Sequence, residues 1–326
     1  MICSTSSSEW ESVPCVVCGT NPGRLVKSIN RHNTRLNISI CDHCGLIYLN
    51  PRWTAARYLD YYQKEYDLAF RSEGLGDTAL ETPFGQEVVE RIAPFLDAPV
   101  RSVLDIGAGT GAILKCLHGK YPNMEAAYAI EASDACQAKL ASLSFVRLLA
   151  ANVDNNWRDK LSRPVNLVVM RHVLEHFMDP SVVLSKVHSA LASDGFLYLA
   201  VPDMLNPIGS PSRYWFRVAH VYYFSRHTLL ALMAKIGFVP IHMECVNSEI
   251  WGLFRKSDSQ KCVIPAGAVT EQMKCISAYL HRWRLKDMLI SLHLGLRSVF
   301  PRSLKSWIPQ WLKKVLRSSA LLKVDG

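Results

Sequence analysis

The sequence has no uninterrupted apolar run near the roughly 18 residues that a membrane-crossing helix needs. It has no basic-then-apolar leader either. Its first residues read "MICSTSSSEW", so a cytoplasmic rather than secreted protein is expected. No internal repeat is visible. Acidic residues are scarce toward the C-terminus, where His281 to Gly326 carry ten Lys and Arg against two Asp. That segment alone accounts for +8 of the chain's net +9, so the body before it is nearly neutral. The basicity therefore belongs to a tail and says nothing about the chemistry of the body.

The 326 residues, 49% hydrophobic and 20% charged, suit a soluble main domain with appendages. Of ten cysteines, four form two close pairs, "CVVC" and "CDHC". Cys15, Cys18, Cys41 and Cys44 thus make a C-x2-C-x22-C-x2-C array. Two tight knuckles with four thiolates suit a closed tetrahedral zinc site rather than disulfides. With every position filled by protein, such a zinc is structural. The long central spacing is expected to be taken up in a loop.

Four regions follow along the chain. Residues 1–50 hold the cysteine pairs. Residues 51–95 read as a helical linker or lid, with Tyr66 in "YYQKEYD" as a residue that could close over a ligand. Residues 96–256 alternate short apolar runs with helical patterns, the sign of a parallel α/β sheet covered on both faces. The expected strands are "RSVLDI", "AAYAIE", "FVRLLA", "VNLVVM", "FLYLAV" and a closing pair at "VPIHMEC" and "EIWGLF". In "DPSVVLSKVHSALASDG", Asp179 is expected to cap a helix, Pro180 to open it and Gly195 to lie just past its end. Residues 257–326 form a linker and a basic helical tail.

"VLDIGAGTGAIL" places a glycine turn between a strand and a helix, as nucleotide sites do. Gly107, Gly109 and Ala112 alone also satisfy the loose dinucleotide pattern. Asp105 decides between the alternatives. It ends the strand beneath whatever sits over the turn, where a dinucleotide would put its anionic pyrophosphate. S-adenosylmethionine would instead present an ammonium and a sulfonium. Glu131, ending the next strand, can accept both ribose hydroxyls of either cofactor.

Together "VLDIGAGTG", "AIEAS", "HVLEHFMDP" and "HVYYFS" resemble a class I S-adenosylmethionine-dependent methyltransferase over roughly residues 100–255. The resemblance implies a Rossmann-like sheet of seven strands whose final hairpin reverses one strand. It implies that Asp105 serves the methionine end, that Gly107, Ala108, Gly109 and Gly111 admit the cofactor backbone, and that Glu131 binds ribose. Asn152, Val153 and Asp154 would lie against adenine, and Arg171 joins the cofactor-facing candidates. A subset of such enzymes is similar in its N-terminal zinc ribbon followed by "CGLIYLNPR". Its members often methylate sugars or other small metabolites.

"HVLEH" also matches the inverted zinc-protease motif, with His172 and His176 expected on one helical face. Its place after the fourth strand speaks against a protease and for the active edge of an α/β sheet. His172, His176 and His220 are then candidate bases, with Tyr222 and Tyr223 beside them. Sugar C-methyltransferases resembling this chain commonly have a Glu-His pair before "YFS"; here the pair is Ala219–His220. The missing carboxylate leaves His220 without its pair and makes O-methylation at least as well supported as C-methylation. In the tail, Lys and Arg alternate with Trp and Leu. That suits docking on an anionic membrane surface, or packing on the body or a second subunit. No nucleic-acid recognition module is visible. Two further alternatives are an NAD-dependent oxidoreductase and a scaffold with a methyltransferase fold but no activity.

Overall fold

A computed structural model describes residues 9–20, 22–31, 34–64, 81–96, 98–257 and 264–299. Tyr66 and the "SEGLGDT" stretch lie outside them, as does everything past Val299.

The N-terminal part contains β1 (Trp10–Glu11), β2 (Arg24–Arg31), β3 (Thr34–Ile40), β4 (Ile47–Leu49), β5 (Arg52–Trp53) and α1 (Ala55–Lys64). The long spacing between the cysteine pairs is no loop. It is the antiparallel hairpin of β2 and β3, in which β-branched Ile29, Ile38 and Ile40 turn inward to the core. Helix α2 (Glu81–Ile92) then leads into the main sheet. Its strands and helices alternate as β6 (Ser102–Ile106), α3 (Ala112–Lys120), β7 (Ala126–Ile130), α4 (Asp134–Ala141), β8 (Val146–Ala150), β9 (Val165–Arg171), α5 (Pro180–Ala190) and β10 (Leu191–Pro202). After these come β11 (Tyr222–Tyr223), α6 (Arg226–Ile236), β12 (Phe238–Val246), β13 (Glu249–Lys256) and α7 (Ala268–Val299).

The main sheet has seven strands in the order β12-β13-β10-β9-β6-β7-β8. Strand β13 runs antiparallel to both its neighbours, while β6 to β10 pair in parallel. The strands are apolar because helices cover both faces, and β6 is buried along its whole length. The reversal at Val103–Asp105, where β7 and β9 flank β6 on either side, opens the crevice in which such sheets bind ligands.

Local chemistry sets the helix ends. Asp179 caps α5 by accepting the Ser181 and Val182 amides at 2.9 and 3.1 Å, with Pro180 in the first turn. Gly195, by contrast, does not follow the end of that helix. The helix stops at Ala190 and the chain enters β10 at once, so Gly195 lies within the strand. A Cβ there would come 3.0 Å from the Asn166 carbonyl oxygen, which explains a glycine at that point.

The N-terminal sheet, ordered β11-β4-β3-β2, takes its edge strand from beyond the main sheet: Tyr222 pairs with Tyr48 and Tyr223 with Ile47. One apolar cluster runs from Cys15, Cys41 and Leu46 through Tyr222 to Val168 and Leu199. The cysteine-bearing segment therefore shares its core with the main sheet. Helix α7 packs here too. Ile276, Tyr279 and Trp283 are buried beside Met204, Trp215 and Phe216, and the Tyr279 hydroxyl donates to the Gly209 carbonyl at 2.9 Å. The start of the tail is thus packed on the body. No described helix is long and apolar enough to cross a membrane.

Candidate active site

Between β6 and α3 the chain turns through Gly107, Gly109 and Gly111, all with positive φ (75°, 53° and 81°). These glycines do different work. A Cβ on Gly107 would stand 2.2 Å from Val173 Cγ1, so close packing demands glycine there. Nothing lies within 4 Å of the corresponding point on Gly109, where the backbone is open to an approaching ligand. Ala108 lies between them, its amide within reach of the Ile130 carbonyl. Glu131 fixes the turn from the side: its Oε2 accepts the Gly109 amide and its Oε1 the Ser133 amide, both at 2.8 Å.

Asp105 sits in β6 beneath this turn, 1% exposed, and its Oδ2 has no hydrogen-bond partner among the described residues. Burial pushes its carboxyl up to about 8, and the nearby Glu131 adds to the effect. A buried acid with an unanswered oxygen can give up its proton to face a cationic ligand group, and a pyrophosphate would offer it no such partner. The residues present therefore fit S-adenosylmethionine.

The loop after β8 is ordered by its own polar groups. Asn152 Oδ1 accepts the Asp154 amide at 2.9 Å, and the Val153 carbonyl accepts Trp157 Nε1 at 2.9 Å. Lys186 Nζ reaches the Val153 and Asp154 carbonyls from α5. Arg171 ends β9 with its guanidinium over the Phe84 ring and 3.2 Å from Glu249. Its Phe84 contact is with α2.

"HVLEH" is not an α-helix. His172 has φ 53°, and Leu174–His176 form a single 3₁₀ turn, so His172 and His176 do not share a helical face. The tight bend comes from docking: Val173 meets Gly107, and the Glu175 carbonyl accepts the Val221 amide at 2.8 Å. His172 Nε2 lies 2.5 Å from Glu249 Oε2, and its Nδ1 lies 3.7 Å from Glu175 Oε1. Burial alone would lower the His172 pKa, but these two carboxylates outweigh it and hold it at about 9. Burial likewise opposes Glu249, yet His172, Arg171 and Arg91 keep it at about 2.

His176 and His220 come together, their rings 4.7 Å apart and inclined at 74°. Burial lowers the pKa of both, that of His220 far below the usual range. Tyr222 is held elsewhere: its hydroxyl donates to the Met178 carbonyl and accepts from Arg52, and burial raises it to about 12. Tyr223 similarly bonds the Arg217 backbone. The sequence reading overlooked Glu175. It is 1% exposed beside both histidines, and its place in the middle of H-x-x-E-H was the available signal.

At the other end of the shared core, the Sγ atoms of Cys15, Cys18, Cys41 and Cys44 all lie within 4.8 Å of one another. The pairs interleave, with Cys15–Cys44 at 3.5 Å and Cys18–Cys41 at 3.4 Å. Each knuckle closes on a glycine of positive φ, Gly19 or Gly45, whose amide donates 2.8 Å to the first cysteine's carbonyl. Four thiolates converging on one point from two such knuckles fit a tetrahedral zinc ion.

The sheet order, the reversed penultimate strand and the acid beneath the glycine turn define a class I S-adenosylmethionine-dependent methyltransferase. The family model described as "Methyltransferase domain" matches residues 81–243, half of the chain, and the chain belongs to that family. Among solved structures it is similar to a mitomycin 7-O-methyltransferase, with 14% identity, 61% of this chain and 60% of that one covered, and TM-score 0.48. It is also similar to the Burkholderia thailandensis 1,6-didemethyltoxoflavin-N1-methyltransferase, with 16% identity, 71% and 100% covered, and TM-score 0.49. A plantazolicin methyltransferase gives 12% identity, 62% and 95% covered, and TM-score 0.49. The chain spans 60% of the first of these proteins. No curated protein matches it in sequence.

Proposed function

We propose that this chain transfers the methyl group of S-adenosylmethionine to an oxygen of a small-molecule acceptor, with a sugar or glycan hydroxyl as the preferred class. The observation that carries the reading is Asp105, a buried carboxylate with an unanswered oxygen beneath an open glycine turn. When bound, the cofactor supplies an electrophilic methyl carbon. Asp105 would receive its ammonium, Gly109 would leave room for its backbone, and Glu131 would turn its remaining lone pairs to the ribose. Asn152, Val153 and Asp154 would border adenine. In-line transfer then needs mainly alignment and a place for the acceptor's proton. Val173 joins the glycine turn to the Glu175–His176–His220 cluster, so that cluster is our choice for the acceptor side. His172, held as an imidazolium between two carboxylates, positions rather than accepts a proton.

The same proposal gives the four cysteines a structural zinc. It also leaves the basic segment past Val299 to an anionic membrane surface. Calorimetric titration with S-adenosylhomocysteine and, separately, NAD tests the core of the reading. Micromolar binding of the first alone is expected. Binding of NAD would transfer the site to the oxidoreductase reading, and binding of neither to the inactive scaffold. Flotation with phosphatidylcholine vesicles, with and without phosphatidylglycerol, tests the tail.

A further inference from the structure

We propose that Glu175, His176 and His220 form a second metal site, separate from the cysteine cluster, that takes a divalent first-row transition ion on the acceptor side of the glycine turn. Three observations carry it. First, one ligand atom from each residue lies within 4.8 Å of the other two. Ligands at about 2.1 Å around one ion are about 3.4 Å apart, so modest rotamer adjustments close the site. Second, the Glu175 side chain is 1% exposed and neither of its oxygens has a hydrogen-bond partner among the described residues. The nearest nitrogens, His172 Nδ1 at 3.7 Å and His176 Nε2 at 3.9 Å, are beyond hydrogen-bond reach. Third, the neighbouring imidazolium answers that charge only in part. His172 faces both carboxylates but lies 2.5 Å from Glu249 against 3.7 Å from Glu175. A buried carboxylate in this state is expensive unless a cation joins it.

The backbone builds the site from two distant segments. The Val221 amide donates to the Glu175 carbonyl, which seats His220 opposite the 3₁₀ turn carrying Glu175 and His176. Both imidazoles are only partly buried, so an ion has a way in. Two histidines and one carboxylate leave a coordination position open, the arrangement of catalytic rather than structural metal sites. Imidazole and carboxylate together suit zinc, manganese or iron and set the site apart from the four thiolates. An ion here would hold an oxygen acceptor and make its proton easier to lose. That consequence rests on the methyl-transfer reading; the binding of the metal does not.

The test uses the full chain with its cysteine site loaded with zinc, and Mn²⁺ as the probe, because thiolate sites select softer ions. Titration followed by the electron paramagnetic resonance of free Mn²⁺ should show one bound ion per chain. Glu175→Gln, His176→Ala and His220→Ala should each weaken it more than about tenfold, since even outer-shell partners of a metal cost that much. His242→Ala, on β12 at the edge of the main sheet, should bind as wild type. Should the variants fail to fold, the wild type still answers. Mn²⁺ should broaden the histidine ring resonances of His176 and His220 and leave His43 sharp. Absence of Mn²⁺ binding, binding unchanged in folded variants, or broadening that spares His176, His220 and their neighbour His172 would each overturn the proposal. S-adenosylhomocysteine titration of the same sample separates this failure from failure of the methyltransferase reading.

Discussion

Glu249, the first residue of β13, places its Oε2 2.5 Å from His172 Nε2, joining the reversed strand to the turn after β9. Its other oxygen lies 2.5 Å from Arg91 on α2, and Arg171 completes the group at 3.2 Å. One buried carboxylate thus ties three elements around the mouth of the site.

Removing that charge leaves Arg91, Arg171 and the His172 imidazolium facing one another. Glu249→Gln should cost about 3 kcal/mol or more in urea denaturation at pH 7. The sign with pH is fixed by the depressed pKa. Glu249 stabilises the fold above its ordinary 4.5 and loses that contribution as pH falls toward about 2. The gap between wild type and variant should therefore narrow with acid, and a gap that is constant from pH 7 to pH 3 would contradict the network.

Gly107→Ala and Gly109→Ala should separate stability from binding. At Gly107 the new methyl meets Val173, so melting should fall by several degrees even without ligand. At Gly109 the space is open and only the left-handed φ resists, at about 1–2 kcal/mol. That variant should remain folded and lose S-adenosylhomocysteine, as read by calorimetry. Equal affinity in Gly109→Ala and wild type would mean that the cofactor does not pass over this residue.

Asp105, pushed up to about 8, holds its proton in the free protein at pH 7. A ligand ammonium needs the carboxylate, so binding should release close to one proton at pH 7 and fewer as pH rises past 8. Calorimetry in two buffers of different ionisation enthalpy measures this directly. Without ligand the sign is the reverse of that for Glu249. The raised pKa gives stability that is complete below the ordinary 3.8 and is lost as pH climbs through about 8. Asp105→Asn should flatten this dependence and abolish binding together, with the zinc retained.

Stripping zinc with a strong chelator should lower the melting temperature of the whole chain and not of the first 50 residues alone, because Cys15, Cys41 and Cys44 belong to the cluster that reaches Val168 and Leu199. Cys41→Ser should reproduce the effect and lower the zinc content below one per chain by elemental analysis. An unchanged melt after complete zinc loss would exclude the structural role.

Much of this was legible in the linear pattern, for identifiable reasons. Every strand of the main sheet lies within a residue or two of its expected run except β10, which begins five residues before "FLYLAV" because α5 ends at Ala190 with no glycine pause. The glycine turn and Asp105 were readable because backbone geometry and charge act locally. The histidine cluster was only half readable. His176 meets His220 through a long-range docking contact, the Val221 amide on the Glu175 carbonyl, which no local spacing encodes. The same holds for Arg171 and Tyr222, whose partners Glu249 and Arg52 come from remote elements. Ala219 suggested a lost carboxylate; in space Glu175 stands beside His220 instead.

The pairing of Tyr222 with Tyr48 bears on how this chain could be dissected or could fold. Because the two residues are so far apart along the polypeptide, their pairing carries a large loop-closure cost and belongs late in assembly. Until it forms, "VYYF" is an apolar strand edge seeking a partner, the kind of segment through which chains stick to one another. A fragment limited to residues 81–243, the extent of the family domain, would carry that edge permanently. The cysteine-bearing segment is in this sense an intramolecular chaperone for the Tyr222–Tyr223 strand, a service that needs no chemistry of its own.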